Sequence, residues 1–508
     1  MKRRHFLKQI GALTGAATLH IGGMPVRAFS KPFFNLPMDS DKILVIVQLS
    51  GGNDGHNTVV PIENSIYYNK RPTLNIPKSE ALELDELTGL HPRLGSFKEF
   101  YDRNMLAIIQ NVGYKDQIRS HFRSTDIWLS GSNPDNYLQD GWVGRYLMQA
   151  FPGFPDIAPP EPMAIQLGSV QSLLFEGEHG GTGVTINNPN KFHQLVQGSE
   201  ADNDPPPPTL AGEELKFLKI VAARSIRYAD VIKEKADLGK NLVEYPQTRL
   251  GEQLSIIAGL INGGLQTPVY LTKLGGFDTH SRQMTRHEVL LDELATAMGA
   301  FQKDLELSSM DEKVVVLTIS EFGRRLKENG SAGTDHGSAA PMFLIGKNVN
   351  GGKFGNSPNL KNLDRRGDVK YSTDFRQVYA SVLSQHFQSE NAAVQAALNG
   401  DFATLPLIGR GTTSVGDTRA PATFSLNQNY PNPFNASTTI PYSIAKRGRV
   451  KLTIYDVNGR QVFKLVDRNH SPGEYQAQLD AARFPSGLYF YKLTTGQFTQ
   501  QKQMILIK

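Results

Sequence analysis

The sequence predicts a mixed α/β protein with a largely parallel sheet, followed by a small all-β domain. Within residues 29–408, nearly unbroken apolar runs alternate with helix-like segments, as in a parallel sheet covered on both faces. From residue 424 onward the pattern changes to short alternating segments separated by turn residues, which is typical of an antiparallel sandwich. The length of 508 residues agrees with several domains, at about 150 residues each.

The α/β region contains six apolar runs that we interpret as buried strands. They are Lys42–Leu49, Met105–Gln110, Met163–Leu167, Val269–Leu274, Val314–Ile319 and Met342–Ile345. The helix-like segments between and after them are Pro92–Tyr101, Ser120–Leu129, Leu210–Asp237, Thr285–Leu305 and Phe375–Phe387. This alternation predicts a layered α/β domain.

A stretch rich in Gly, Thr, Ser and Pro at residues 409–423 predicts a linker between the two domains. After it, residues 424–508 are expected to form an antiparallel sandwich of six or seven strands. The predicted strands are Thr439–Ile444, Arg449–Tyr455, Gln461–Val466, Gly473–Leu479, Gly487–Thr494 and Phe498–Ile507.

Residues 1–28 have the pattern of an export signal. A basic start that includes Arg3 and Arg4 precedes a short apolar run, and small residues follow near Ala28. The paired arginines resemble a twin-arginine signal, which implies the twin-arginine export machinery; an ordinary secretory signal is the alternative. The apolar run is too short and too rich in glycine for a transmembrane helix, and no later stretch is long enough.

Composition excludes several classes of function. The chain has no cysteine, which excludes disulfides, thiolate metal ligands and cysteine nucleophiles. The five basic residues of the export signal equal the whole net charge of +5. Because the central region is mildly acidic, the basic overall balance does not favour nucleic acid as a partner.

Four polar clusters follow predicted strands, where ligand sites lie in parallel α/β sheets. They cover residues 50–57, 275–280, 320–324 and 333–337, and three of them combine Asp with a nearby His. Such residues without cysteine form a ligand set for zinc, manganese or another divalent ion. For any single cluster the alternative is a glycine-rich turn with Asp as a helix N-cap.

The motifs SGGNDGHNTVVP, SHFRSTDIW, GGFDTH, SEFGR and GTDHG occur in this order over residues 42–400. Together they resemble domain of unknown function 1501, which is distantly similar to the alkaline phosphatase and sulfatase superfamily. The resemblance implies a three-layer alkaline-phosphatase-like domain over residues 29–408. It also implies divalent metal ions (zinc, manganese or calcium), two in number, around a Ser, Thr or formylglycine nucleophile.

The resemblance also suggests site residues. Asp54, Asp335 and His336 match the ligands of one metal, whereas Asp278 and His280 resemble those of the other. A more distant ligand could come from His287, which could instead only face one side of a helix. We expect His386 to be structural.

The superfamily places its nucleophile at a helix N-terminus, where backbone N–H groups favour anionic charge. Ser120 is the first choice and Thr125 the second, although Ser120 could equally serve only as an N-cap. Arg119 and Arg324 are candidates for holding an anionic substrate, and Arg123 is a third. Each arginine could instead belong to a surface or an ion pair.

At the C-terminal end, Asn429–Asn435, Val450–Asp456 and Ser486–Tyr489 closely resemble the type IX secretion C-terminal sorting domain of type A. This implies the type IX export machinery as a partner, and a place on the outer-membrane surface or outside the cell. A carbohydrate-binding or adhesive sandwich is the alternative interpretation of residues 424–508.

The sequence therefore predicts an exported, metal-dependent hydrolase of phosphate or sulfate esters that acts on an anionic substrate. The alternative is a non-catalytic surface or structural protein that retains the fold. If the first hypothesis holds, Asp54, Asp278, His280, Asp335 and His336 should converge in space.

Overall fold

The computed structural model describes residues 18–21, 24–27, 41–154, 158–178, 180–197, 225–409, 424–429, 432–446, 448–470, 473–496 and 498–507. The chain divides into two compact units, Met1–Gly411 and Thr412–Lys508. The cleavage region of the predicted export signal and nearly all of the predicted linker lie outside the described residues, so both remain predictions. Within the described residues, no helix combines the length and the apolar character needed to cross a membrane.

The first unit is built on a nine-stranded sheet. In chain order its strands are β1 (Ile43–Ser50), β2 (Leu106–Gly113), β3 (Ala164–Leu167), β4 (Gly183–Ile186), β5 (Val269–Gly275), β6 (Val314–Ile319), β7 (Ala340–Ile345), β8 (Gly352–Phe354) and β9 (Thr373–Asp374). Their spatial order is β4-β3-β5-β1-β6-β7-β2-β8, and β9 also pairs with β2. Only β7 runs antiparallel to its neighbours.

Helices cover both faces of this sheet. In chain order they are α1 (Gly55–Thr58), α2 (Ser65–Lys70), α3 (Gly95–Asp102), α4 (His121–Ser130), α5 (Trp142–Ala150), α6 (Pro189–Val196), α7 (225–238), α8 (Arg249–Asn262), α9 (Gln283–Leu307), α10 (Phe375–Ser381) and α11 (Asn391–Leu398). A 3-10 turn lies at Leu173–Phe175 and a π-helical turn at Val382–His386.

The alternation of side chains along β1 explains the three layers. Leu44 and Ile46 pack into one apolar core with α4, α5, α10 and α11, whereas Val45 and Val47 pack into a second core with α3, α8 and α9. A central strand with both faces buried must be apolar throughout, which is why its sequence shows no polar alternation. The predicted class, an α/β domain with a largely parallel sheet, is confirmed.

The described part of the C-terminal unit contains seven antiparallel strands. They are β10 (Ser425–Leu426), β11 (Ser437–Ile444), β12 (Gly448–Tyr455), β13 (Gln461–His470), β14 (Gly473–Asp480), β15 (Gly487–Thr495) and β16 (Phe498–Leu506). One sheet has the order β10-β11-β14 and the other β13-β12-β15-β16. Apolar residues of the two sheets, among them Ile440, Leu452 and Tyr491, form one core. The predicted small all-β region is confirmed.

Short pieces of sheet complete the described part. They are the pair Thr18–Ile21 and Met24–Arg27, the pair Glu176–Gly177 and Gly180–Gly181, and a three-stranded sheet of Val59–Val60, Leu82–Asp85 and Thr88–Leu90. All six strands predicted in the α/β region occur in the large sheet. The sequence interpretation missed α1, α2, α5, α6, α8 and α11 and the edge strands β4, β8 and β9.

Candidate metal centre

Four side chains meet where the loops leave the carboxyl ends of the parallel strands. Asp278 and His280 lie in the loop after β5, and His336 lies in the loop between β6 and β7. His121 is the first residue of α4, which follows β2. Ligand sites in α/β sheets form at this edge because consecutive parallel strands deliver their loops to the same place.

The Oδ1 atom of Asp278 is the common point of the cluster. It lies 3.5 Å from Nε2 of His121, 3.1 Å from Nε2 of His280 and 3.2 Å from Nε2 of His336. The Nε2 atoms of His280 and His336 are 2.9 Å apart. One ligand atom each from His121, Asp278 and His336 lie within 4.8 Å of one another, which is compact enough to hold a divalent metal ion.

The other ring nitrogen of each imidazole faces an acceptor. His121 Nδ1 lies 2.9 Å from Oε1 of the buried Glu321, and His336 Nδ1 lies 2.8 Å from the carbonyl oxygen of Arg119. His280 Nδ1 lies 3.4 Å from Oδ1 of Asp335. Acceptors at Nδ1 favour the tautomer with its proton there, which leaves the Nε2 lone pairs directed into the cluster, as in metal-binding histidines.

Two glycines allow the loops to approach this closely. Gly51 has a φ of +119°, and a Cβ atom on it would lie 2.3 Å from the backbone nitrogen of Asp278. A Cβ atom on Gly333 would lie 2.2 Å from the carbonyl carbon of His280. Any larger residue at either position would displace the loop that carries Asp278 and His280.

The side chain of Arg324 holds these loops in place. Its fully buried guanidinium donates to the carbonyl oxygens of Gly51, Gly52 (2.8 Å), Phe277 (3.0 Å) and Thr334 (2.9 Å), and to Asp278 Oδ1 (2.6 Å). The sequence analysis suggested this arginine for binding an anionic substrate. In the structure it instead orients Asp278 and holds the ends of three loops together.

These contacts determine the protonation states of Asp278 and His336. Partial burial opposes ionisation of Asp278, but the hydrogen bond and the positive charge of Arg324 outweigh it and hold the pKa of Asp278 at about 2. Burial, together with the positive charge of Arg324, lowers the pKa of His336 below its usual value. At neutral pH the cluster therefore offers an ionised carboxylate and a neutral His336 imidazole, the forms in which both residues bind metals.

Asp335 lies at the edge of the cluster rather than inside it. Burial would raise the pKa of Asp335, but hydrogen bonds involving Asn329 and His280 lower it. Its carboxylate therefore stays ionised and faces the Nδ1 side of His280. In this position Asp335 orients a candidate ligand and does not itself face the common point.

Asp54 has a different environment. Its fully buried carboxylate forms a two-point ion pair with the guanidinium of Arg71, in which one bond measures 2.9 Å, and it also accepts a hydrogen bond from Gln283. Burial opposes ionisation, but the charge of Arg71 holds the pKa of Asp54 well below its usual value. It also caps α1 by accepting from the backbone N–H of His56 at 3.2 Å. The family resemblance suggests a metal ligand at this position, whereas in the structure the carboxylate is paired with Arg71.

The start of α4 carries the two other residues suggested by the sequence. Ser120 occupies the N-cap position, but its exposed side chain makes no capping hydrogen bond. The guanidinium of Arg119 is paired with Asp364 at 3.1 Å and with Asp368. Arg119 thus contributes its backbone carbonyl to the cluster and its charge to a neighbouring loop.

Two further histidines lie away from the common point. His287 is buried, with Nε2 2.8 Å from the side-chain oxygen of Asn53. His386 is also buried, and its Nε2 lies 3.0 Å from the carbonyl oxygen of Ile43. Both contacts belong to the packing of helices on the sheet.

Sequence reasoning missed two residues of the cluster, His121 and Glu321. The one signal for His121 was its place directly after Ser120, at the predicted start of a helix that follows a parallel strand. Glu321 stood within the polar cluster after β6, but nothing local linked it to His121, which is 200 residues away.

Two family models match parts of the chain. Residues 261–402 match the model of a protein family of unknown function, DUF1501, and this segment contains Asp278, His280 and His336. The family resemblance inferred from the motifs is confirmed. Residues 428–508 match the secretion system C-terminal sorting domain. The protein is therefore exported to the cell surface or the extracellular space, with the secretion machinery as a partner. No curated protein matches the chain.

Several solved structures are similar to parts of the chain. One is a protein in the alkaline phosphatase superfamily from Vibrio parahaemolyticus (12% identity, 83% of this chain and 81% of that chain, TM-score 0.31). Another is the PsFucS1 sulfatase from Pseudoalteromonas sp. (10% identity, 87% and 84%, TM-score 0.33). Dimeric latent PorU from Porphyromonas gingivalis shares 21% identity over 18% of this chain and 10% of that chain, with a TM-score of 0.15. At these values the similarities carry no inference about activity.

Proposed function

We propose that the protein is an exported, metal-dependent hydrolase of phosphate or sulfate esters whose centre lies at His121, Asp278, His280 and His336. The observation that carries this proposal is the convergence of three imidazole Nε2 atoms on one carboxylate oxygen, at distances of 3.1 to 3.5 Å. A divalent ion bound there, zinc, manganese or calcium in the sequence expectation, supplies Lewis acidity toward an ester oxygen. Asp278 is solvent-exposed, so an ester can reach the cluster.

Ser120 is the residue to which we assign the nucleophilic role. It directly precedes His121, and its hydroxyl is exposed and free of a capping bond. Its oxygen would form a bond to phosphorus or sulfur as the ester bond to the alcohol breaks. The hydroxyl proton would pass to solvent, and water would then release the acid from Ser120.

The first turn of α4 supports the same assignment. Its backbone N–H groups have no intrahelical acceptors and favour negative charge beside Ser120. Because the guanidinium groups of Arg119 and Arg324 bind carboxylates and carbonyl oxygens, we assign them positioning roles. Arg119 orients His336 through its carbonyl oxygen, and Arg324 orients Asp278.

The test is a panel of aryl phosphate, phosphodiester and aryl sulfate esters assayed with the full chain and added zinc, manganese or calcium. We expect His336→Ala to abolish both metal retention and hydrolysis. Ser120→Ala should abolish hydrolysis and keep the metal. His193→Ala is the matched control, because His193 also pairs with a carboxylate, Asp230, at 3.2 Å but contacts no second imidazole among the described residues. If Ser120→Ala hydrolyses the esters normally, the nucleophile is Thr125 or a water molecule instead of Ser120.

The second candidate function is a non-catalytic exported protein that uses the cluster only to hold its loops. One observation favours it: both arginines expected to bind substrate have their charges neutralised or bonded within the protein. A metal-loaded chain that hydrolyses no ester of the panel would support this alternative and contradict the hydrolase.

A further inference from the structure

We infer that the cluster binds one metal ion through four protein donors, His121, Asp278, His280 and His336, and that Arg71 takes the place of a second ion at Asp54. The inference rests on the metal dependence proposed above, but not on ester hydrolysis. It adds His121 to the ligands expected from the sequence and reduces the expected number of ions from two to one.

The separations from Asp278 Oδ1 to the three imidazoles, and the separation between His280 and His336, fit a single small ion. Nitrogen and oxygen ligands of a tetrahedral zinc site lie about 2.0–2.2 Å from the metal, which places neighbouring donor atoms roughly 3.3 Å apart. The distances from Asp278 Oδ1 to the three Nε2 atoms are 3.5, 3.1 and 3.2 Å, and the His280–His336 separation is 2.9 Å. These four separations thus already lie near the values that such an ion requires, and His121, Asp278 and His336 each offer a ligand atom within 4.8 Å of the other two.

The orientation of the imidazoles points to a cation between them. His280 and His336 both have an acceptor at Nδ1, namely Asp335 Oδ1 and the carbonyl oxygen of Arg119. With protons on those nitrogens, the two Nε2 lone pairs face each other at 2.9 Å and repel. A metal ion between the rings removes this repulsion and uses both lone pairs.

The third imidazole is prepared in the same way. His121 Nδ1 faces Glu321 Oε1, which also accepts from the backbone N–H of Gly51 at 2.7 Å. The Nε2 atom of His121 is buried and has no hydrogen-bond partner among the described residues. This buried, unpaired ring nitrogen lies 3.5 Å from the Asp278 carboxylate and beside the imidazole of His336, so its lone pair is available to a metal ion.

The donor types select among metals. Three imidazole nitrogens and one carboxylate oxygen suit zinc and similar first-row divalent ions. Calcium prefers six to eight oxygen ligands and fits this set poorly. We therefore assign the site to zinc or a similar transition-metal ion, and not to calcium.

Arg71 prevents a second ion from binding at Asp54. Both side chains of the Asp54–Arg71 pair are completely buried, and the guanidinium contacts both carboxylate oxygens. Arg71 is itself held by the carbonyl oxygens of Leu326 at 2.9 Å and Arg325 at 2.8 Å. The carboxylate already has a positive charge beside it, so a divalent ion would have to expel an anchored arginine.

The first experiment counts ions. The full chain is stripped with a chelator, loaded with excess zinc and dialysed, and its metal content is measured by mass spectrometry. We expect one zinc per chain. A content of two per chain, with both ions lost together in a His336→Ala variant, would overturn the inference.

Variants then identify the ligands. His121→Ala and His280→Ala should each weaken zinc affinity at least 100-fold, whereas the control His193→Ala should leave it unchanged. Asp335→Ala, which removes only the partner of His280, should weaken it by about 10- to 100-fold. Full affinity in His121→Ala would overturn the four-donor site.

Asp54→Asn tests the closed position, and tryptophan fluorescence shows whether this variant is folded. A folded variant should retain one zinc, and loss of zinc from a folded variant would overturn the assignment of Asp54 to Arg71. If the variant does not fold, the zinc count of the unaltered chain decides. One zinc per chain without ester hydrolysis would contradict the proposed function and support this inference. Two ions per chain with ester hydrolysis would support the proposed function and contradict this inference.

Discussion

The two units of this protein differ in whether they bury charged side chains. The first unit buries complete ionic groups, including Asp54 with Arg71, and Glu321 and Arg324 below the histidine cluster. In the described part of the sorting unit, no Asp, Glu, Lys or Arg side chain is buried. Its ion pairs, such as Arg449–Asp467, lie at the surface.

This difference shows what each unit needs from its sequence. A buried charge is tolerated only where partners are already in place, so the first unit depends on many specific polar contacts. The sorting unit depends on apolar burial, which tolerates exchange of one apolar residue for another of similar volume. The apolar core of the sorting unit can therefore exchange residues of similar volume, whereas the buried polar contacts of the first unit cannot be changed one at a time without leaving an unpaired charge.

The largest expected effect is on acid stability. In the first unit, burial chiefly lowers the pKa values of His56, His91 and His386 to about 4 and that of His287 to about 3. Since the unfolded chain binds these protons near pH 6.5, stability is lost as the pH falls from 6.5 to 4, by up to roughly 3 kcal/mol per histidine.

Tryptophan fluorescence measures this loss, because the chain has two tryptophans, Trp128 and Trp142, both in the first unit. The sorting unit should remain protected in hydrogen exchange at pH 4. In the control His386→Gln, which can still donate to the carbonyl oxygen of Ile43, the pH dependence should be shallower. If both units lost stability equally as the pH falls, the predicted difference between them would be wrong.

The next effect is that of removing one buried charge. Asp54→Ala leaves Arg71 buried without its partner, and we expect it to destabilise the first unit by about 3–5 kcal/mol. Urea unfolding followed by tryptophan fluorescence gives this value. A loss below about 1 kcal/mol would mean that water reaches Arg71 and that the pair is not sealed.

Removal of apolar volume from the sorting unit should have a similar or slightly smaller effect. Leu452 is completely buried in its core, so Leu452→Ala should cost about 2–5 kcal/mol. Hydrogen exchange of peptides from residues 428–508 should speed up, whereas the urea midpoint of tryptophan fluorescence should stay constant. A shift of both signals would show that the units do not unfold independently.

The smallest effect should come from the surface pairs of the sorting unit. Arg449→Ala removes an ion pair between the exposed side chain of Arg449 in β12 and Asp467 in β13. Exposed pairs are screened by water and salt, so we expect no measurable change in hydrogen exchange of residues 428–508. Faster exchange after this substitution would place part of the unit's stability in surface charge.

The fold could be predicted from the sequence wherever a strand is buried on both faces, because such a strand is apolar along its whole length. The central strands β1, β5 and β6 are fully apolar because both faces are covered, and this is visible locally. The edge strands β4 and β8, of four and three residues, carry too few side chains to show a pattern. Helix α8 was missed because it is apolar on most sides and so lacks the polar face of a surface helix.

The candidate site was predictable only in part. Asp278, His280 and His336 stood in polar loops after apolar strands, a pattern that the sheet explains. The pairing of Asp54 with Arg71 was not predictable, because it depends on how α2 and the loop after it return to the strand end. His121 depends on Glu321, which only the assembled sheet brings near it.

The histidine cluster also bears on the order of folding. The hydrogen bond between Arg119 and His336 spans 217 residues, and the one between Arg324 and Gly51 spans 273. Such non-local contacts form late, because long loops must close before they contribute, whereas β12 and β13 of the sorting unit are sequence neighbours that pair locally. The sorting unit can thus be folded while the first unit is still assembling. Binding of the metal ion proposed above would then mark a chain whose large sheet has finished folding.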